Sequence, residues 1–483
     1  MLLSTCEPNT TLRHDEVLTM EETMEISPTG RAGGLHQLID SQKFRWFHAK
    51  VAILCFLIVV LDGFDTTLIG FVAPSIANHW HVSRRDLGPL VSAALMGVAI
   101  GALLSGPLAD RYGRKVVLII GVAWFGVLTL VSPLAPDVTW LAALRLVTGL
   151  GLGATISNAS TLAAEYAPAR NRSATVTSVL CGFTLGSAAG GFAAAMLMKH
   201  WGWPSVFYVC GALSLLLVPV LVLALPESIH FMVIRRRSPA KIERLLQRVA
   251  GNELPYAEAV ARETSARVSA PIPRTTAPSK LFGLSSVMLW LAFFCVSLSG
   301  YILLGWLPML LSDAGFSPQH GAVILGIFQT AGVIGVLSLG WLMDRWNPHL
   351  ALAGAFVFGA IAFFSLGAAV HDAVFLGILT AATGFFIGGS GSGIFALAAL
   401  TYPTDVRATG TSWMSACGRL GGILSGFVGA YLLSRGWTLT QVAMLMCLPV
   451  LVSCAAIVIK WVRLKHPRSA VSTRVDGIDK QMS

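Results

Sequence analysis

The sequence predicts an all-α membrane protein of twelve transmembrane helices in two six-helix bundles. Three observations carry that expectation. Of 483 residues, 55% are hydrophobic and only 12% charged, whereas a soluble domain carries about 25% charge. Windows of about twenty apolar residues, the length that crosses a bilayer, recur twelve times along the chain. A short polar motif also returns at one fixed offset in the second half, marking a duplication.

In chain order, residues 1–45 are polar, with Glu21, Glu22, Glu25 and Asp40 and no apolar stretch of a signal peptide. They read as a disordered cytoplasmic tail. The first bundle, 46–225, holds spans near 49–72, 87–108, 115–133, 138–162, 174–197 and 205–225. After Pro226 the polar stretch 226–285, carrying Arg235, Arg236, Arg237, Lys241, Arg244 and Arg248, divides the chain six plus six as a central cytoplasmic loop. The second bundle, 286–462, holds spans near 286–311, 320–343, 350–370, 374–400, 410–433 and 438–460, and 463–483 forms a C-terminal cytoplasmic tail.

The formal net charge of +10 does not indicate nucleic acid, because the cations sit between apolar runs. Of the 34 Lys and Arg, only Arg84, Arg85, Lys199 and Arg435 fall on the side opposite the chain ends, and only Arg145 and Arg419 fall inside spans away from their tail-side ends. Cationic loops stay in the cytoplasm, so both ends and the central loop are expected there. The eight cysteines contain no C-x-x-C, and seven lie in apolar runs (Cys55, Cys181, Cys210, Cys295, Cys417, Cys447, Cys454). They indicate neither a disulfide framework nor a metal site, and no cofactor is expected.

The halves repeat at the level of motif. Gly106-Pro-Leu-Ala-Asp110-Arg111 follows span two, and Gly340-Trp-Leu-Met-Asp344-Arg345 follows span eight, offset by 234 residues. Pro168 with Arg172 follows span four, and Pro403 with Arg407 follows span ten, offset by 235. Two matches at nearly one offset describe a parallel repeat, the architecture of a two-domain alternating-access carrier. Asp110, Arg111, Arg114 and Lys115, with the echo at Asp344 and Arg345, read as an ion-pair latch at the cytoplasmic face; Glu165, Arg170, Arg172 and Arg407 join the same gate.

The costliest residues are Asp62 and Asp65, in Leu61-Asp-Gly-Phe-Asp-Thr66 of span one. A carboxylate at mid-span costs about 2.5–3.5 kcal/mol on the lenient insertion scale, and residues three apart share a helix face. A low-dielectric setting favours the neutral carboxylic acid, and a second carboxyl nearby adds to that preference. The pair therefore reads as a proton site, with a structural hydrogen-bonded pair as the alternative. Repeat-related positions carry Val296 and Ser299, so proton coupling belongs to the first bundle alone. Arg145 is a plausible partner for either aspartate. Arg419, at the middle of span eleven with no carboxylate in its own helix, calls for an anion, which its planar fork fits well. A substrate carboxylate is the natural one; a static pair with Asp62 or Asp65 is the alternative. Phe64, Tyr301, Trp306, Phe328 and Trp413 are the candidate ring contacts, although Phe64 points away from both aspartates on the helix and Trp or Tyr near span ends also anchor in the interface.

The loop GPLADRYGRK from Gly106 to Lys115 resembles the loop motif of the major facilitator superfamily, and the resemblance extends from about Lys43 to Lys465. DGFD in span one, followed by Thr66 and Pro74, with GRLGG around Arg419, resembles its aromatic acid:proton symporter family. The resemblance implies the major facilitator fold, a span-four arginine (Arg145) linked to proton coupling, and Arg419 on the substrate carboxylate. Gly182 to Gly191 resembles the antiporter motif of span five, but Ser187 stands where that motif has proline, which favours uptake over efflux. The expected protein is a monomeric, proton-coupled importer of small aromatic carboxylates in the bacterial inner membrane, not an enzyme. Its alternatives are a carrier of other organic acids such as muconate, a drug:proton antiporter, and a transporter-like receptor.

Overall fold

The computed structural model describes residues 44–235, 239–250, 283–369, 372–402 and 406–465. The expected tails (1–45 and 463–483) and most of the central loop lie largely outside these, as does Pro403 of the second repeat motif. Twelve long helices follow in order: α1 Trp46–Trp80, α2 Leu87–Tyr112, α3 Arg114–Val131, α4 Val138–Tyr166, α5 Arg172–Trp201, α6 Pro204–Ala224, α7 Leu284–Asp313, α8 Pro318–Arg345, α9 Pro348–Leu366, α10 Ala373–Thr401, α11 Arg407–Ser434 and α12 Leu439–Lys465. All twelve are long and apolar enough to span a bilayer. Several outrun their apolar windows: α1 passes both ends of 49–72 because its interfacial turns are amphipathic and still satisfy backbone groups within the helix. An even number of spans leaves both described ends on one side, here the tail face.

Local chemistry sets the ends. Asp137 accepts hydrogen bonds from the amides of Thr139 (2.8 Å) and Trp140 (2.9 Å) and so caps α4. Asp372 does the same for Val374 (2.8 Å) and Phe375 (3.2 Å) at α10. Arg172 reaches back to the carbonyl of Ala167 (3.3 Å), and Arg407 to that of Tyr402 (3.3 Å), closing α4 and α10 alike. The duplication read in the motifs is thus repeated in hydrogen bonds.

Within each bundle the tightest crossings run through glycine. Gly97 of α2 backs onto the carbonyl of Leu146 and Gly149 of α4, and Gly335 of α8 backs onto Phe385 of α10. A side chain at either point would strike backbone, so these glycines serve helix packing rather than a nucleotide.

The bundles meet in the half away from the tails. Ser92 on α2 donates to the carbonyl of Ile423 on α11 (2.8 Å). Gly191 on α5 lies against Ala322 and Gly326 on α8, and Arg84 pairs with Asp313 (2.6 Å) at the far face. One buried cluster joins Leu68, Phe71 and Ile76 to Leu303, Leu307 and Leu311 across the seam. In the tail half, the first bundle's core (Leu54, Ile58, Leu118, Leu162, Tyr166, Leu221) contains no described residue of the second bundle. The halves are sealed at the far face and part toward the tail face.

Two features differ from the expectation. The central stretch begins with a short helix, Ile229–Ile234, whose Ile229, Phe231, Met232 and Val233 are buried against the first bundle. It is short but apolar, and Glu227 beside it caps α3 by accepting from the amide of Lys115 (3.0 Å). Arg145 and Arg419 are also not the only basic residues inside spans. Lys460 of α12 is 2% exposed, with its Nζ 3.0 Å from His349 Nε2 on α9, because α12 continues past the apolar window that ended at 460.

Candidate functional site: a paired aspartate, a free arginine and an aromatic cavity

Asp62 and Asp65 lie near the middle of α1, and both are buried. Although three residues apart, they serve different neighbours. Asp65 turns into the first bundle. Arg145 of α4, 1% exposed, places Nη1 at 3.2 and 3.3 Å from its two carboxylate oxygens. The Thr129 hydroxyl donates to Asp65 at 2.6 Å and accepts from Arg145 Nη2 at 3.1 Å. Ser132 (2.7 Å) and Thr148 (3.2 Å) accept from the same nitrogen, and each spends its own proton on the carbonyl one turn back. Phe207 lies under the guanidinium, 5.3 Å from ring centre to Cζ. This is a buried, charge-balanced cluster in which the Arg145 Nε–H alone is left without a partner among the described residues.

Asp62 has no cation in contact among the described residues. Thr66 donates to it at 3.2 Å and Thr155 of α4 approaches at 2.6 Å. Thr155 Oγ1 lies 2.7 Å from the carbonyl of Leu152 as well. One hydroxyl proton cannot serve both acceptors. With the proton on Asp62, Thr155 bonds the backbone and accepts from the acid; with Asp62 ionised, Thr155 donates to it. Both protonation states are satisfied by one hydroxyl rotation. Across the seam, Asp62 is within electrostatic reach of Arg419 and Tyr301 of the second bundle.

Arg419 sits half-buried in the middle of α11. Among the described residues it makes no hydrogen bond or ion pair; Tyr301 and Asp62 are the ionisable groups it feels. Its helix packs against α7 through Gly418, which meets Phe293 and Ser297, and Gly422, which meets Tyr301. Those α7 residues form one wall of an open cavity of about 300 Å³, lined also by Phe328 and Gln329 of α8, Ser392 and Phe395 of α10, and Phe183 and Thr184 of α5. A volume of this order suits a single-ring molecule.

Of the candidate ring contacts, Tyr301 and Phe328 line this cavity. Phe64 packs on Gly190, and Trp306, wholly buried, packs on Gly429. Trp413 stacks on Trp290 at 6.0 Å. None of these three lines the cavity, because large rings at helix crossings are consumed by packing. The sequence reading missed Phe293, Gln329 and Phe395, and also the hydroxyls of Thr129, Ser132, Thr148 and Thr155. The available signal was polar residues recurring in otherwise apolar spans.

At the tail face, Arg114 and Glu165 form an ion pair within the first bundle. Asp110, Arg111, Asp344 and Arg345 are exposed. Arg235 donates to the carbonyl of Asp110 (3.1 Å), and Arg345 lies over the Trp341 ring at 4.3 Å. Among the described residues, none of these four is paired across the two bundles, as expected where the bundles have parted. Nor is any group of His, Cys, Asp and Glu among the described residues arranged to hold a metal ion.

Comparison with known proteins agrees with this architecture. The model of the Major Facilitator Superfamily matches residues 55–380. The chain is 40% identical over 431 residues to the 4-hydroxybenzoate transporter PcaK of Pseudomonas putida, covering 89% of this chain and 96% of that one. It is 41% identical to a gallate transporter of Pseudomonas putida, covering 87% and 93%. Among solved structures, the inward-open xylose transporter XylE from E. coli superposes with a TM-score of 0.67 at 19% identity, covering 86% of this chain and 96% of that one. A multi-pass permease and not an enzyme, the chain belongs to the Major Facilitator Superfamily, in the branch that contains these two Pseudomonas transporters.

Proposed function

We propose that this protein imports a small aromatic carboxylate together with a proton, by alternating access, across the bacterial inner membrane, working as a monomer. The observation that carries the reading is Arg419: a guanidinium at mid-membrane, unpaired among the described residues, on a helix whose Gly418 and Gly422 pack on the α7 wall of an aromatic cavity. A buried cation without a partner is expensive, and an aromatic acid supplies both the missing carboxylate and a ring for Tyr301 and Phe328. Relatives about 40% identical are named for 4-hydroxybenzoate and gallate, which are such acids. The tail face is the cytoplasm, since the cationic loops lie on it.

In this mechanism Asp62 carries the proton and Asp65 does not. Asp65 is already paired with Arg145, and Thr129 has no other acceptor for its hydroxyl proton among the described residues. Asp62, with its reversible Thr155 partner, gains and loses a proton without stranding a polar group. While Asp62 is ionised it competes with substrate for Arg419 across the seam. Protonation from the periplasm frees Arg419 for the bidentate carboxylate pairing that guanidinium geometry favours. The far-face contacts then close and the tail face opens, exposing the substrate and Asp62 to the cytoplasm. Asp110, Arg111, Asp344 and Arg345 act as the tail-face gate, separated in this state and engaged when that face closes; Arg114 and Glu165 join α3 to α4 next to it, and Arg172 and Arg407 close the tail-face ends of α4 and α10.

The test is uptake of labelled 4-hydroxybenzoate, protocatechuate, benzoate and a hydroxyphenylpropionate by cells expressing the protein, with and without a protonophore. Accumulation that the protonophore abolishes is expected for at least one acid. Well-expressed protein that accumulates none of them contradicts the reading.

A further inference from the structure

We infer that Gln329 reads a hydroxyl group on the substrate ring, so that the cavity selects hydroxylated aromatic acids over benzoate; this rests on the aromatic-acid reading above. Gln329 of α8 lines the central cavity and is 7% exposed. Among the described residues its amide makes no hydrogen bond, and its polar atoms are not among the buried ones, so two donors and an acceptor are open to the cavity.

The contrast with Asn158 is instructive. That buried amide donates to the carbonyl of Ala154 one turn back, at 2.7 Å, and so has a local partner. The cavity hydroxyls of Thr184, Ser297 and Ser392 are side chains of the type that can turn onto their own helix carbonyls. Gln329 has taken no such local partner.

Its chemistry points to a hydroxyl. The anionic end of the substrate belongs to Arg419, which is adjacent to Tyr301 on the α7–α11 wall. Gln329 stands on a different helix, α8, beside Phe328, so a ring lying along Tyr301 presents another edge to it. A phenolic hydroxyl both donates and accepts, matching the carbonyl and NH₂ of one amide. A bare ring edge leaves that amide unpaired, which is how a site built for a hydroxyl rejects the analogue without one.

The test is initial uptake of labelled 4-hydroxybenzoate, 3-hydroxybenzoate and benzoate by the full-length protein, comparing wild type with Q329L and Q329N. In Q329L the preference of wild type for a hydroxylated acid over benzoate should fall about tenfold, the worth of one neutral hydrogen bond. Benzoate uptake should persist or rise, which also reports that the variant is folded. If Q329L is not recovered in the membrane, Q329N, which keeps the amide but withdraws it, should show a smaller loss in the same direction. An unchanged preference in the recovered variant, or equal losses for all three acids, overturns the assignment. Wild type that takes up none of the acids overturns the substrate class itself, and this assignment with it.

Discussion

The two bundles share one helix plan and the caps of α4 and α10, yet their interiors are chemically different at matching positions. Where the first bundle has Asp62, Asp65, Arg145 and Thr155, the second has Val296, Ser299, Thr380 and Ser390. The first therefore holds a charge-balanced cluster at Asp65–Arg145, while in the second Ser299 and Ser390 turn their hydroxyls onto their own helix backbone. The reverse holds on the α5–α11 pair, where Thr184 of the first bundle stands opposite in the repeat to Arg419 of the second. Duplication supplied one scaffold twice. Divergence left the buried carboxylates in one copy and an unpaired guanidinium near an aromatic cavity in the other, so that the coupling proposed above runs across the seam between them.

The largest effect should come from breaking the buried cluster. Arg145→Met strands the Asp65 carboxylate in a low-dielectric core, a loss of about 3–5 kcal/mol. Thermal unfolding and the yield of monodisperse protein should drop sharply, and the double variant D65N/R145M should recover much of the difference. Wild-type stability in R145M alone would mean that the cluster is not the structural core of the first bundle.

Next, Arg419→Ala should leave folding intact, because no described residue depends on its hydrogen bonds. Losing a charge-assisted contact worth about 1.5–3 kcal/mol should raise the apparent KM for aromatic acids roughly ten- to hundredfold. An unchanged KM moves the carboxylate site elsewhere. Thr155→Val should slow proton-driven uptake about three- to tenfold, the range of one neutral hydrogen bond, with T155S restoring it; equal activity in T155V would remove the two-way hydroxyl from the mechanism. The smallest effect should follow Lys460→Met. That cation lies beside His349 between α9 and α12, away from the cavity walls, and replacing a buried cation by an apolar side chain is often neutral. Accumulation should stay within about twofold of wild type, and a larger loss would give the second bundle a charge role beyond that of Arg419.

How much of this was legible in the sequence follows from what each residue type needs. Asp62, Asp65, Arg145 and Arg419 stood out because a charge within an apolar run is costly wherever its helix points. The partnering of Arg145 with Asp65 and not Asp62 depends on the rotation of α1 against α4, which no spacing rule supplies. Gln329, Phe293 and Phe395 are unexceptional in sequence; only the crossing of α7, α8 and α10 turns them into one wall. Trp306 and Phe64 illustrate the converse, since an aromatic near the middle of a span is as readily used to fill the crossing at Gly429 or Gly190 as to meet a substrate. Lys460 was missed because hydropathy marks the edge of the apolar core, and α12 continues beyond it.

The most direct test of the division between the two aspartates uses the Asp62→Asn variant in liposomes, assayed in two ways with labelled 4-hydroxybenzoate. Exchange of labelled for unlabelled acid without a gradient should continue, since Arg419 and the cavity are intact. Accumulation driven by an acidic exterior should vanish, and uptake should no longer rise as the outside pH falls. Accumulation that persists in the D62N variant, still responding to outside pH, would contradict the assignment of the transported proton to this carboxylate.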